Sequence, residues 1–318
     1  MRILWVALAS VSSLFAAVDG VVVNATTGKP QGAVVVSVVQ PGAAGMQTLA
    51  SLKSGADGKF SIEARLQPGP VLVQAIYQGV TYTMALTPGS PTSNLVVNVY
   101  DATTSAASAR IAQHIMVIEP STDALQITET FLLQNDTKQT FQDATNGSIR
   151  FFLPESARDK AEVKILAPGG MPITRPPEAT KKAGVYKASY PIKPGETRFD
   201  VGYTLPPGDA FSGENLDPSA PVNLVTPPQV TLTGDGIEDK GQEPQTQAHI
   251  YVTSAASYAV TIAGTGSISD AAPSAEDTGQ DQVSVQPARV YNRLYWVLGL
   301  TLAILALGGM ALYRKGAA

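Results

Sequence analysis

The sequence predicts an all-β protein: two tandem antiparallel β-sandwich domains followed by one C-terminal transmembrane helix. Three observations lead there. The apolar residues between the chain ends fall in short Val/Ile/Thr/Tyr runs broken by 28 Gly and 23 Pro, the mixture that favours strands joined by turns. No window between the ends sustains a helical period. Near the C-terminus, Leu294 to Tyr313 runs about 20 residues without an ionisable acid or base, long enough to cross a bilayer as a helix.

From the N-terminus, Met1-Arg2, an apolar run from Ile3 to Phe15 and the small pair Ala16-Ala17 read as a secretory signal over 1–17, with cleavage near residues 16–20. The run is short for an uncleaved anchor. The chain contains no cysteine, which excludes disulfides, thiolate metal sites, a cysteine nucleophile and a lipid-modified N-terminal cysteine. Each sandwich therefore stands on its apolar core.

The first domain is expected over 18–100. Strand-like runs cover Val21 to Asn24, Ala33 to Val39, Gln47 to Lys53, Lys59 to Ala64, Val71 to Tyr77, Tyr82 to Leu86 and Asn94 to Tyr100, separated by turn chemistry. Asp57-Gly58 supplies the positive φ of a tight hairpin, and Pro30 presets entry to the next strand. Three opening segments, Val18-Asp19-Gly20-Val21, Thr27-Gly28-Lys29-Pro30 and Gly32 to Val36, combine with Asp57 to Ile62, Leu66 to Gly69, and Val71 to Ala75 followed by Gly79. Together they resemble the carboxypeptidase regulatory-like, transthyretin-like domain family over residues 18–87. The resemblance implies a small sandwich that is a non-catalytic accessory, found on secreted and surface proteins and classed with carbohydrate-binding-like folds. It implies no peptidase activity: His114 is followed three residues on by Val117, and His249 by Val252, so the His-and-Glu pair of zinc carboxypeptidases is missing.

Asp101 to Ser108 is small and polar and reads as a linker, 101–108. Strand-like segments resume in a second domain over 109–266, for which an immunoglobulin-like sandwich fits the spacing. They are Arg110 to Glu119, Leu125 to Asn135, Ile149 to Leu153, Ala161 to Leu166, Tyr186 to Tyr190, Arg198 to Leu205, Gln229 to Thr233, Ile250 to Thr253 and Tyr258 to Ala263. The Pro-rich stretch Pro206 to Pro228 and the polar stretch 234–247 read as long exposed loops. Residues 267–290 are polar, acidic and poor in large apolar groups, a flexible stalk with a reach of roughly 25 Å. The transmembrane helix follows over 291–313, with Tyr291, Tyr295, Trp296 and Tyr313 at its ends and Arg314-Lys315 opening a cytoplasmic stub, 314–318.

The residues that chemistry would need are thin. His114 and His249 lie far apart on predicted strands and lack a third metal ligand, so polar-face histidines are the expectation. Asp235, Glu238, Asp239 and Glu243 cluster around glycines but lack the alternation of a calcium loop, which favours a solvated turn. There is no nucleophile elbow and no phosphate-binding glycine loop. Tyr77 and Tyr82 flank the Gly79 turn and are the candidate ligand-binding residues, an aromatic platform for a sugar, set against simple packing on the sheet. Asn24-Ala25-Thr26, Asn135-Asp136-Thr137 and Asn146-Gly147-Ser148 fit the glycosylation pattern. A net charge of -4 and the absence of a basic patch argue against nucleic acid.

The expectation is a protein without enzymatic activity, cofactor or bound metal. It would sit in the cytoplasmic (inner) membrane of a bacterium by a single pass, with its sandwiches in the periplasm or outside the cell. There they bind or scaffold another envelope protein, with strand addition at an edge as one mode. Two other readings stay open: a carbohydrate-binding surface protein, and an accessory subunit of a membrane transport or assembly complex.

Overall fold

The computed structural model describes residues 16–42 and 45–268. The expected export signal, apart from Ala16 and Ala17, and the expected stalk beyond Ile268, membrane helix and stub lie outside the described residues. No helix among the described residues is long and apolar enough to cross a membrane.

The protein is all-β. The first module holds β1 (Ala16–Asn24), β2 (Lys29–Pro30), β3 (Val35–Gly42), β4 (Gly45–Lys53), β5 (Lys59–Ala64), β6 (Val71–Tyr77), β7 (Val80–Leu86) and β8 (Leu95–Val99). One sheet runs β4-β3-β6-β7; the other is centred on β1, which pairs antiparallel with β2 and β5 and parallel with β8. The sequence shows why these are strands: β5 and β8 alternate strictly between exposed and buried, so every second side chain enters one core. Val18, Val22, Val36, Val38, Val73 and Val97 fill it.

The second module holds β10 (Arg110–Pro120) and β11 (Leu125–Asn135), reached through β9 (Ala102–Thr103), then β12 (Thr140–Phe141), β13 (Ile149–Phe152), β14 (Glu162–Leu166), β15 (Ile173–Arg175), β16 (Glu178–Ala179) and β17 (Val185–Ala188). It continues with β18 (Gly195–Leu205), β19 (Ala210–Glu214), β20 (Val222–Thr226), β21 (Thr231–Thr233), β22 (Glu238–Gln242), β23 (His249–Thr253) and β24 (Ser257–Ala263). Eight strands form one sheet, β15-β14-β18-β11-β10-β20-β23-β22, and two triplets, β13-β17-β16 and β19-β24-β21, share its core. That strand number exceeds the seven to nine of a whole immunoglobulin-like sandwich, and the large sheet is mixed, since β10 and β20 run parallel.

Two expectations are corrected here. The stretches expected as loops, Pro206 to Pro228 and 234–247, contain β19, β20 and β22. Val222 and Leu224 of β20 are fully buried near the middle of the large sheet. The prolines around β20 mark where the strand starts and stops, because proline is excluded from the ladder and not from its ends. The linker is also structured: β9 pairs parallel with β12, and Ala106–Ser108 forms a turn of 3₁₀ helix.

The junction it builds is dense. Asp101 Oδ1 accepts from Asn24 Nδ2 at 2.8 Å and from the Tyr77 hydroxyl at 3.0 Å. The Asp101 amide donates to Thr26 Oγ1 at 2.9 Å, and that hydroxyl donates to the Lys138 carbonyl of the second module. Lys193 Nζ of the second module donates to the Thr81 carbonyl of the first at 2.6 Å. Both modules fall within one compact unit.

Candidate functional site

Tyr77 and Tyr82, weighed as a sugar platform against simple packing, both bond into the junction between the modules. Tyr82 is only 4% exposed, its hydroxyl donates to the Tyr100 carbonyl at 2.9 Å and shares a bond with Thr140 Oγ1 at 2.9 Å, and Lys193 Nζ lies 5.2 Å from its ring centre. Burial pushes both phenols above the ordinary tyrosine value. The β6–β7 turn at Gly79 abuts the second module, so the two rings belong to the junction, with no face of Tyr82 left for a sugar.

The histidines do not converge. His114 Nε2 meets Glu129 Oε1 at 2.6 Å inside the second core, whereas His249 Nε2 meets Asp239 Oδ1 at 2.9 Å on the β22–β23 pair. Through β20, His114 aligns with Val222 and His249 with Thr226. The two are thus about 13 Å apart along the strands and about 10 Å across them. No group of three metal-ligating side chains occurs among the described residues.

The acidic stretch is spent on its own turns. Asp239 accepts from the Gly241 amide and from His249, and Glu243 Oε2 accepts from the Thr246 amide and hydroxyl. These donors, the amides first, hold both carboxyls below the ordinary range, and the Asn146 amide does the same for Asp143. A carboxyl lowered in the folded state stabilises above its unfolded value, near pH 4, and that stabilisation is lost as pH falls through the folded value. The thermal midpoint should therefore fall between about pH 4 and pH 2, and Asp239→Asn should flatten part of that slope in a pH-resolved melting series.

Of the glycosylation triplets, Asn24 and Asn135 are each 2% exposed and their amides are committed, Asn24 to Gln31, Tyr77 and Asp101, Asn135 to the Gln139 and Ile192 carbonyls. Asn146 alone is exposed.

The surface that stands out lies on the first module. Across all four strands of its β4-β3-β6-β7 sheet the one charged residue is Lys53. β4 is an edge strand, exposed at every residue from Gly45 to Thr48, with Met46 46% exposed. A bulge at the Val38–Val39 step places one extra residue on β4, and Lys53 ends the strand. The second module's edges contrast: β15 is three residues long and ends in Arg175, and β22 carries Glu238, Asp239 and Lys240 with its own bulge. Charge, shortness and bulges are the devices that blunt an edge against pairing. β4 carries only its bulge and the terminal Lys53. In the sequence, the signal was a stretch from Gly32 to Leu52 with no charged residue.

No family model matches the chain, and no curated relative matches it. Among solved structures, an M1 zinc metallopeptidase from Deinococcus radiodurans is similar at 11% identity and a TM-score of 0.24, over 48% of this chain and 42% of that one. E. coli alpha-2-macroglobulin is similar at 14% identity and a TM-score of 0.15, over 75% of this chain and 16% of that one. The chain spans less than half the length of either. Likeness this low carries no argument about fold or activity.

Proposed function

We propose that this chain is a non-enzymatic, membrane-anchored protein of the bacterial envelope whose first module docks an extended segment of a partner envelope protein along β4. The observation that carries the reading is the β4-β3-β6-β7 sheet with its edge charge-free from Gly45 to Leu52 and exposed at every residue from Gly45 to Thr48. Main-chain bonds to an added strand supply affinity, and alternate side chains supply specificity. The anchor comes from the apolar run Leu294 to Tyr313 and the export signal from residues 1–17. The resemblance to the carboxypeptidase regulatory-like family, a non-catalytic accessory, agrees with this role.

The chain crosses the second module from one end of β10 to the other. It enters the second module at the Arg110 end of β10 and leaves beside the Pro120 end, where Glu119 Oε1 accepts from the Ser267 hydroxyl and the Ile268 amide, both at 2.8 Å. An 11-residue strand is about 36 Å long, so Ser267 and Ile268 lie at the end of β10 away from its Arg110 end.

The test is capture from detergent extracts of the native host with the tagged full chain, wild type against Met46→Lys/Ser51→Lys. Both positions are exposed, so the melting midpoint should stay put. A partner held through β4 is expected to be lost by about tenfold or more. Undiminished capture by the variant defeats the reading, and so does capture of nothing but a second copy of the chain.

A further inference from the structure

We propose that the cleft between the modules is a binding site for a small oxyanion, a carboxylate or a phosphate group. The cleft has a volume of about 370 Å³, and Thr81 of the first module lines it together with Asp143, Arg175, Ser189, Tyr190 and Lys193 of the second. That volume is within the usual range for a small-molecule site.

The polar groups in it are out of balance. An ammonium has three donors. Lys193 uses one on the Thr81 carbonyl, rests its charge near the Tyr82 ring, and has no carboxylate partner among the described residues. Burial pushes it below the ordinary lysine value, which reflects a half-buried cation still short of negative charge. The Arg175 side chain, exposed at the end of edge strand β15, makes no hydrogen bond and no ion pair among the described residues, although its charge acts on the Tyr190 phenol. Ser189 Oγ is buried without a hydrogen-bond partner among the described residues. The single carboxylate in the lining, Asp143, is occupied within its own turn: Oδ1 accepts from the Thr145 and Asn146 amides, and Oδ2 from Asn146 Nδ2. Two cations and an unused hydroxyl thus face one cleft whose own anion is engaged elsewhere. An oxyanion would take a fork from Arg175, a charge-assisted bond from Lys193 and the Ser189 proton, contacts stronger than neutral ones.

Lys193 and Thr81 come from different modules, so a bound oxyanion would also tighten the junction. The proposal is independent of β4. A second cationic groove, lined by Arg150, Lys181, Lys182 and Lys187, serves as the control, because two of its lysines are already paired, Lys182 with Glu214 and Lys187 with Glu178.

The experiment is isothermal titration of the detergent-solubilised full chain at fixed ionic strength with inorganic phosphate in one arm and glucuronate in the other. Saturable binding near one equivalent is expected in at least one arm, and the arm that responds identifies the source of the oxyanion. Arg175→Ala should weaken it by about tenfold and Ser189→Ala by less, and since neither side chain has a partner to lose, both variants should keep the wild-type melting midpoint. Lys181→Ala should leave the affinity unchanged. No saturable heat from either probe up to about 10 mM overturns the proposal. So does an Arg175→Ala titration matching wild type, or a Lys181→Ala loss as large as that of Arg175→Ala.

Discussion

Glu129→Ala should destabilise the second module by roughly 3–5 kcal/mol, a fall in melting midpoint of roughly 10 °C. His114 and Glu129 are 3% and 2% exposed, joined at 2.6 Å, with the imidazole stacked on Phe131 at a centroid distance of 4.3 Å. His114 Nδ1 and Glu129 Oε2 have no hydrogen-bond partner among the described residues, which leaves the two side chains their one shared bond. Deleting the carboxyl leaves a buried imidazole with neither nitrogen bonded, which costs the full desolvation of that group. The double variant His114→Leu/Glu129→Leu removes both polar groups and keeps an apolar filling, and it should recover to within about 1 kcal/mol of wild type or exceed it. Urea or thermal unfolding of the three proteins decides the matter. Equal losses in the single and the double variant would show that packing volume, and not the stranded polar group, sets the cost. The Tyr203 and Tyr258 phenols give a second readout: burial first, and the Glu129 charge after it, hold them above the ordinary tyrosine value. A phenol titration should shift downward in Glu129→Gln.

The second large effect is expected at the turn between β4 and β5. Gly58 sits at φ +77°, and a Cβ there would lie 2.6 Å from the Val22 carbonyl oxygen and 3.0 Å from Pro30 Cβ. That carbonyl accepts from the Gln31 amide at 2.8 Å, and the Val22 amide donates to the Gly58 carbonyl at 2.8 Å, so the backbone cannot retreat without breaking bonds. A left-handed non-glycine residue costs about 1–2 kcal/mol by itself, and the contact adds to it. Gly58→Ala should therefore cost about 3 kcal/mol in a chemical unfolding assay. Gly28→Ala is the comparison: φ is +73° but nothing lies within 4 Å, so it should cost only the conformational part. If the two variants fall together, close approach has no share in the role of Gly58.

The Asp57-Gly58 pair was legible as a turn with positive φ at Gly58, but it joins β4 and β5 of different sheets and closes no hairpin; β5, β6 and β11 were legible with bounds that match the structure. Such elements announce themselves because every second residue is apolar and a turn residue closes each end. β20 was hidden because Pro221 and Pro227-Pro228 resemble loop punctuation, and its parallel partner β10 lies about a hundred residues away. Glu129 left a trace that was readable in principle: it shares its parity with Ile127, Phe131 and Leu133, the buried face of β11. A carboxylate on an apolar face asks for a buried partner, and nothing local names His114 as that partner.

Periodicity, turn residues and the lack of cysteine are properties of neighbours along the chain, and they sufficed to determine an all-β protein with two apolar cores. Which edges stay open, that the 101–108 segment is a structured junction, that Tyr82 is buried there, and that Arg175, Ser189 and Lys193 share one cleft were decided by tertiary structure alone. The physical reason is range. A strand is specified by contacts a few residues apart, whereas a site is made where segments roughly a hundred residues apart, such as Thr81 and Lys193, are brought within one hydrogen bond.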